Sequence, residues 1–244
     1  MKTLFFSSRN WKEILRDPLS LVFCVGVPLV MMIIFSFMQR NMPIEVYTIK
    51  NLAPGLAVFS FAFISLFSGM LIAKDRTSSF LTRLFTSPMT STNFIVGYSL
   101  PLLPLAFLQT VVCFVTALFF GLPLSFNLII SILLLIPAAM MFIGFGLLLG
   151  CIFNDKQVGG IASILIMLVS FMGGMWFDLN LMGGAYKTVA NLLPFSHAVE
   201  VAKAPLAGNY DGLLIHLLWT IVYAVLVFVL AIFTFKGKMQ GDSK

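Results

Sequence analysis

The chain has 244 residues, of which 60% are hydrophobic and only 10% are Asp, Glu, Lys or Arg, with a formal net charge of +6. Soluble domains carry roughly 25% charged residues, so this chain has too few polar side chains to coat a water-soluble globule; disorder, which needs low hydrophobicity, is excluded as well. This is the composition of an integral membrane protein, in which a basic excess sets orientation in the bilayer and implies no nucleic acid partner.

Residues 1–17 read as a helix lying in the headgroup layer. At ~100° per residue, Leu4, Trp11, Ile14 and Leu15 share one face and Lys2, Arg9, Lys12, Glu13 and Arg16 the other. Pro18 ends the helix. The plainer alternative is a charged flank that stops translocation. Charges run up to the apolar stretch and no cleavage-type site follows, so a signal peptide is not expected.

Six apolar runs then reach the about 20 residues a spanning helix needs: 19–38, 53–73, 98–120, 128–152, 158–176 and 213–235. The expected fold is all-α, one polytopic domain over 1–244. With both termini cytoplasmic, the inside segments hold Lys2, Arg9, Lys12, Arg16, Lys74, Arg76, Arg83, Lys156, Lys236, Lys238 and Lys244, and the outside segments only Arg40, Lys50, Lys187 and Lys203. That asymmetry is the bias of cytoplasmic loops. The spans carry no Asp, Glu, Lys or Arg at depth, which argues against a proton relay or a charged ion filter.

In the second span, Phe59, Phe63, Phe67 and Met70 form one stripe, which fits lipid, a packed core or a substrate path. After it, residues 75–86 wound as a helix place Phe80, Leu81, Leu84 and Phe85 opposite Arg76, Ser79 and Arg83, and Pro88 closes the segment. Such a helix lies on the membrane or plugs a groove on a soluble partner. In the third span, Gln109 and Thr116 share a face around Cys113. Gln109 there either bonds a neighbouring helix or contributes to a mildly polar pathway wall.

Gly146-x-x-x-Gly150 in the fourth span, with Gly159, Gly160, Gly173 and Gly174 near the fifth, would let helices approach closely. Residues 177–212 are too long for a turn and too mixed to span, which suggests a broken, partly re-entrant hairpin. Its run 191–209 predicts a helix from Pro194 to Gly208 in which Glu200 and Lys203 pair and His197 is interfacial or hydrogen-bonded. One histidine and one carboxylate are too few for a metal. Cys24, Cys113 and Cys151 sit in separate apolar runs, so no disulfide framework is indicated. The one Gly-Lys pair, Gly237-Lys238, lacks the upstream glycine of a phosphate-binding loop, so the chain is expected to bind no ATP or other cofactor itself.

In their order along the chain, these features resemble the membrane subunit of type-2 ABC transporters, the permeases of drug, antibiotic and polysaccharide exporters. The amphipathic start is followed by Leu52-Ala53-Pro54-Gly55-Leu56 at the entry to span two. Asp75, Arg76, Leu81, Leu84 and Pro88 resemble the family's loop segment, and Asn191, Pro194, Ala198, Val199, Glu200, Lys203, Leu206 and Gly208 its outer helix. Ser78-Ser79 stand where Gly-Thr is usual, and Phe177-Asp178 where the outer hairpin often has a proline.

The resemblance implies a plasma-membrane export permease of a bacterium, non-catalytic, working as a dimer with a second permease copy and with cytosolic ATPase subunits that carry ATP and Mg. It implies that Asp75, Arg76, Phe80, Leu81, Arg83 and Leu84 couple to the ATPase. The chargeless spans suggest a hydrophobic or amphipathic cargo, with Phe59, Phe63, Phe67, Gln109 and Thr116 as candidate pathway residues. A lipid-linked polysaccharide permease and an ATPase-independent channel or structural bundle are the alternatives.

Overall fold

In a bilayer core every backbone N–H and C=O must be satisfied without water, so an apolar chain spans as helices or as a closed barrel. The computed structural model describes residues 2–41, 47–78, 80, 89–177 and 179–241, and these are helical with no strand among them. An amphipathic helix α1 (Lys2–Leu15) precedes α2 (Pro18–Asn41), α3 (Ile49–Thr77) and α4 (Ser91–Phe119). Then come α5 (Phe126–Leu134), α6 (Ile136–Ile152) and α7 (Asp155–Met172). Three short helices, α8 (Leu179–Met182), α9 (Gly184–Leu192) and α10 (Pro194–Ala207), lead into α11 (Leu213–Gly241).

Among the described residues, six segments are long and apolar enough to cross a membrane: Leu21–Gln39, Ile49–Thr77, Ser91–Phe119, Phe126–Ile152, Asp155–Met172 and Leu213–Gly237. The expected spans are all present, but their ends shift for identifiable reasons. Thr90 caps α4, its hydroxyl accepting from the Asn93 amide at 3.3 Å, so that helix starts seven residues before the apolar run. The α7 helix starts at Asp155 because Asn154 and Gln157 form a reciprocal capping box. The fourth span is one run in sequence yet breaks at Leu135, where Pro137 cannot donate to the preceding turn.

At two of the other prolines inside spans, the carbonyl left without its donor is recaptured by an amide from another helix. Pro28 leaves the Cys24 carbonyl without its i+4 donor, and Gln109 Nε2 supplies one at 2.7 Å. Pro101 does the same to Gly97, whose carbonyl accepts from Asn10 Nδ2 at 3.2 Å. In water such carbonyls would simply hydrate; in hydrocarbon they fix which helices sit together.

The α3 helix is the hub, buried on nearly all sides from Leu52 to Ala73. It meets α6 along a seam of small residues. A Cβ on Gly146 would collide with the Ser68 hydroxyl and the Ser65 backbone, one on Gly150 with Ile72 and the Gly69 backbone, and one on Gly69 would come within 2.9 Å of the Gly146 carbonyl. Gly146-x-x-x-Gly150 is therefore a packing motif, as expected. A Cβ on Gly159 or Gly160 meets nothing within 4 Å, so neither brings another described helix of this chain close. At the far side of the seam, Phe195 of α10 stacks on Phe142 of α6 with ring centres 5.9 Å apart.

Candidate functional site: a polar junction at the basic end

The end of the bundle that carries α1 also holds the last turn of α3, the start of α4 and the α6–α7 turn, so most basic residues gather there. Its centre is a carboxylate. Asp75 is 3% exposed and accepts from Arg9 Nη1 at 2.6 Å, Arg9 Nη2 at 2.9 Å and the Tyr98 hydroxyl at 2.8 Å. A bidentate guanidinium plus a phenol satisfies a buried carboxylate that would otherwise be prohibitively costly. Burial alone would lower the Arg9 pKa, but the hydrogen bonds Arg9 donates to Asp75 and the charges of Asp75 and Glu13 outweigh it and hold the pKa above the ordinary guanidinium value. Arg9 also pairs with Glu13 at 2.5 Å and lies 4.3 Å over the Phe80 ring.

Around this centre the chain is sewn to three neighbours. Phe6 packs edge-on against Tyr98 and Phe94, with ring centres 4.9 and 5.5 Å apart. It can do so because position 97 is glycine: a Cβ there would lie 2.5 Å from the Phe6 ring. Arg76 turns the other way and donates to the Gly150 and Cys151 carbonyls at 2.7 and 2.5 Å, closing the last turn of α6.

The expected loop helix does not begin at Asp75. Residues 75–77 are the final turn of α3, and Ser78 is extended (φ −84, ψ 152). Asp75 and Arg76 consequently face helices of their own chain, because both find buried partners there. Phe80 sits against Arg9. Leu81, Arg83 and Leu84 lie outside the described residues.

Of the candidate pathway residues, Gln109 is the one the geometry places elsewhere. Its amide is fully engaged with Cys24, whose thiol in turn donates to Gln109 Oε1 at 3.1 Å. The bond to a neighbouring helix is thus the reading the structure contains, and its cause is Pro28. Thr116 bonds the Val112 carbonyl of its own helix at 2.8 Å. The phenylalanine stripe does run as a column. Phe35 lies 4.6 Å from Trp176, Trp176 6.2 Å from Phe59, and Phe59 5.5 Å from Phe63. Phe59 is buried, Phe63 and Phe67 are half-buried, and Met70 at the basic end is exposed.

At the opposite end, α10 starts at Pro194 and stops at Gly208, whose φ of +70 is the left-handed cap a glycine adopts without strain. Glu200 and Lys203 pair at 3.4 Å. His197 is hydrogen-bonded, to a partner the spacing did not reveal: its Nδ1 lies 2.6 Å from Nδ1 of His216, and its Nε2 lies 2.8 Å from the Asn191 carbonyl. A carbonyl only accepts, so His197 carries its proton on Nε2 and His216 donates from Nδ1. Trp219 stacks flat on His197 at 5.2 Å and Tyr223 on Trp219 at 5.9 Å.

Sequence reasoning missed Arg9, Asn10, Tyr98 and His216 as functional partners. Arg9 carried a signal, as a cation on the amphipathic start with the Asp75 carboxylate at the end of span two, while Asn10 carried none. Tyr98 and His216 carried none.

The sequence pattern of the family described as ABC-2 type transporter matches residues 2–206. The chain is also similar to a protein of Porphyra purpurea described as "Putative transport permease ycf38", 26% identical over 206 residues that cover 79% of this chain and 69% of that one. Its counterpart of the same description in Pyropia yezoensis is 33% identical over 115 residues, covering 45% of this chain and 40% of that one.

Proposed function

As the chain belongs to the ABC-2 type transporter family and is a membrane permease of an ABC transporter, we propose that it exports a hydrophobic or amphipathic compound and is driven by cytosolic ATPase subunits docked at its basic end. That end is then the cytoplasmic one, the eleven-to-four distribution of basic residues being the support. The permease itself is non-catalytic: ATP and Mg reside on the partner, and two permease copies share one transport unit.

The observation that carries the cargo assignment is the column of Phe59, Phe63 and Phe67, which offers aromatic surface and no charge until it reaches Met70 at the charged basic end. A small ion would be left unpaired along it at prohibitive cost. The loop after Ser78, with Leu84 as its apolar anchor, makes the ATPase contact, while Phe80 fixes the start of that loop on Arg9.

Reconstitution of the chain with an ABC ATPase encoded beside it tests this reading. Lipid-soluble drugs or peptide antibiotics should stimulate ATP hydrolysis, and Phe63→Ala with Phe67→Ala should change which ones do. Stimulation by hydrophilic solutes alone overturns the cargo assignment. Cysteine labelling gives the orientation: Ala185→Cys should react from outside and Ser78→Cys should not, the native cysteines being buried.

A further inference from the structure

Beside α1 the bundle has an open cleft. A cavity of about 1110 Å³ lies between α1, the start of α2, the end of α3, the middle of α4 and the first turn of α7. This exceeds the roughly 300–1,000 Å³ typical of small-molecule sites. Its two sides differ in chemistry. One is apolar, with Phe67, Met70, Leu102 and Leu105. The other carries five cations, Arg9, Lys12, Arg16, Lys74 and Lys156, against the carboxylates Glu13, Asp17 and Asp155.

Arg9 and Lys74 already face carboxylates: Arg9 is committed to Asp75 and Glu13, and Lys74 lies 3.7 Å from Glu13. Lys12, Arg16 and Lys156 form no ion pair with a described residue. Basic heads at the rim above an apolar floor match one kind of molecule, an acidic head carrying a hydrocarbon chain. Basic side chains at a membrane surface attract such heads, and the floor adds apolar burial for the chain.

We propose that this cavity is a binding site for an anionic amphiphile, with its phosphate or carboxylate head on Lys12, Arg16 and Lys156 and its chain between Phe67, Met70, Leu102 and Leu105. The site shares Phe67 and Met70 with the aromatic column but does not depend on that column carrying cargo. An inner-leaflet lipid and a soluble amphiphile offer the same chemistry, and the test separates them.

The full chain, purified in a neutral detergent, is given equimolar phosphatidylglycerol and phosphatidylcholine, and bound lipid is counted by native mass spectrometry. In a second arm it is given dodecyl phosphate or inorganic phosphate. Phosphatidylglycerol should be retained about fivefold over phosphatidylcholine, and the combined Lys12→Gln, Arg16→Gln, Lys156→Gln variant should bring the two to parity. These three side chains are exposed, so helicity and melting should not change. Met70→Trp, at an exposed floor position, should block binding with every charge intact. Retention of phosphatidylglycerol assigns a leaflet lipid; binding of dodecyl phosphate without it assigns a soluble amphiphile. Retention of neither ligand, a preference that survives the triple variant, or equal binding of inorganic phosphate overturns the proposal.

Discussion

The two ends of the bundle face the same task, fastening a peripheral helix to the spans, and use opposite chemistry for it. At the basic end α1 is held by an ion pair, with Arg9 and Asp75 bridged twice and Tyr98 added. At the other end α10 is held by an imidazole pair, His197 and His216 with their Nδ1 atoms 2.6 Å apart, and by Trp219 stacked on His197. The Arg9 side chain keeps 36% of its surface exposed, so it loses only part of its hydration, and three hydrogen bonds satisfy the one carboxylate that is buried. The α10 helix is buried on most of its inner face, from Pro194 to Pro205, where neutral donors matched to acceptors cost far less than charge. Each pair joins one buried group, Asp75 or His197, to a half-exposed one, Arg9 or His216, so the ends differ in the chemistry of their groups and not in their access to water.

Removing the centre of the basic end should have the largest effect. Asp75→Ala leaves Arg9 half-buried beside an unpartnered Tyr98, and the loss should be about 3 kcal/mol in a reversible unfolding titration in mixed micelles. Arg9→Lys should recover nothing in that background; alone, it should lose the bidentate geometry and cost about half as much. The Arg9 pKa is raised in the fold, so its contribution is complete below the ordinary guanidinium value and fades only above it. The basic end should therefore hold constant strength between pH 5 and 9, as read from hydrogen exchange in α1.

Next in size is the seam common to both ends. Gly150→Val forces a side chain against Ile72 and the Gly69 backbone, and should cost about 1–3 kcal/mol and lower the yield of folded protein. Gln109→Leu should cost about 1–2 kcal/mol by leaving the Cys24 carbonyl bare. Pairing it with Pro28→Ala restores a helical donor to that carbonyl, so the double variant should regain most of the loss. A cargo role for Gln109 would instead leave stability unchanged and shift substrate preference.

The smallest effect belongs to the histidine end. His216→Phe keeps an aromatic ring beside His197 but removes one neutral hydrogen bond, about 1 kcal/mol. Hydrogen exchange should rise in residues 190–216 and stay unchanged in α1. A matching rise in α1 would mean that the two ends open as one unit, and the contrast between them would then be only chemical.

How far each of these features was readable depends on whether its cause is local. The six spans follow from runs of apolar residues, and the α10 limits from Pro194 and Gly208, both visible along a few turns of chain. Gly146 and Gly150 were readable as a motif, but Gly159 and Gly160 look alike in sequence and differ only in what stands opposite them. Asp75 shows the limit most clearly. Its place beside the loop pointed toward a partner protein, whereas its bonds go to residues 66 and 23 positions away in its own chain.

Composition, span count and the positions of prolines and capping residues were fixed by the sequence alone, because the bilayer leaves an apolar chain no alternative to hydrogen bonds within each segment. Which carbonyl each proline orphans is also local, always the one four residues earlier. Which side chain then answers it, Asn10 for Gly97 or Gln109 for Cys24, was decided only by tertiary structure. The reason is that lipid is as apolar as the helix faces themselves. Apolar pattern therefore cannot choose neighbours, and the choice falls to a few polar groups and to the glycines that let backbones touch.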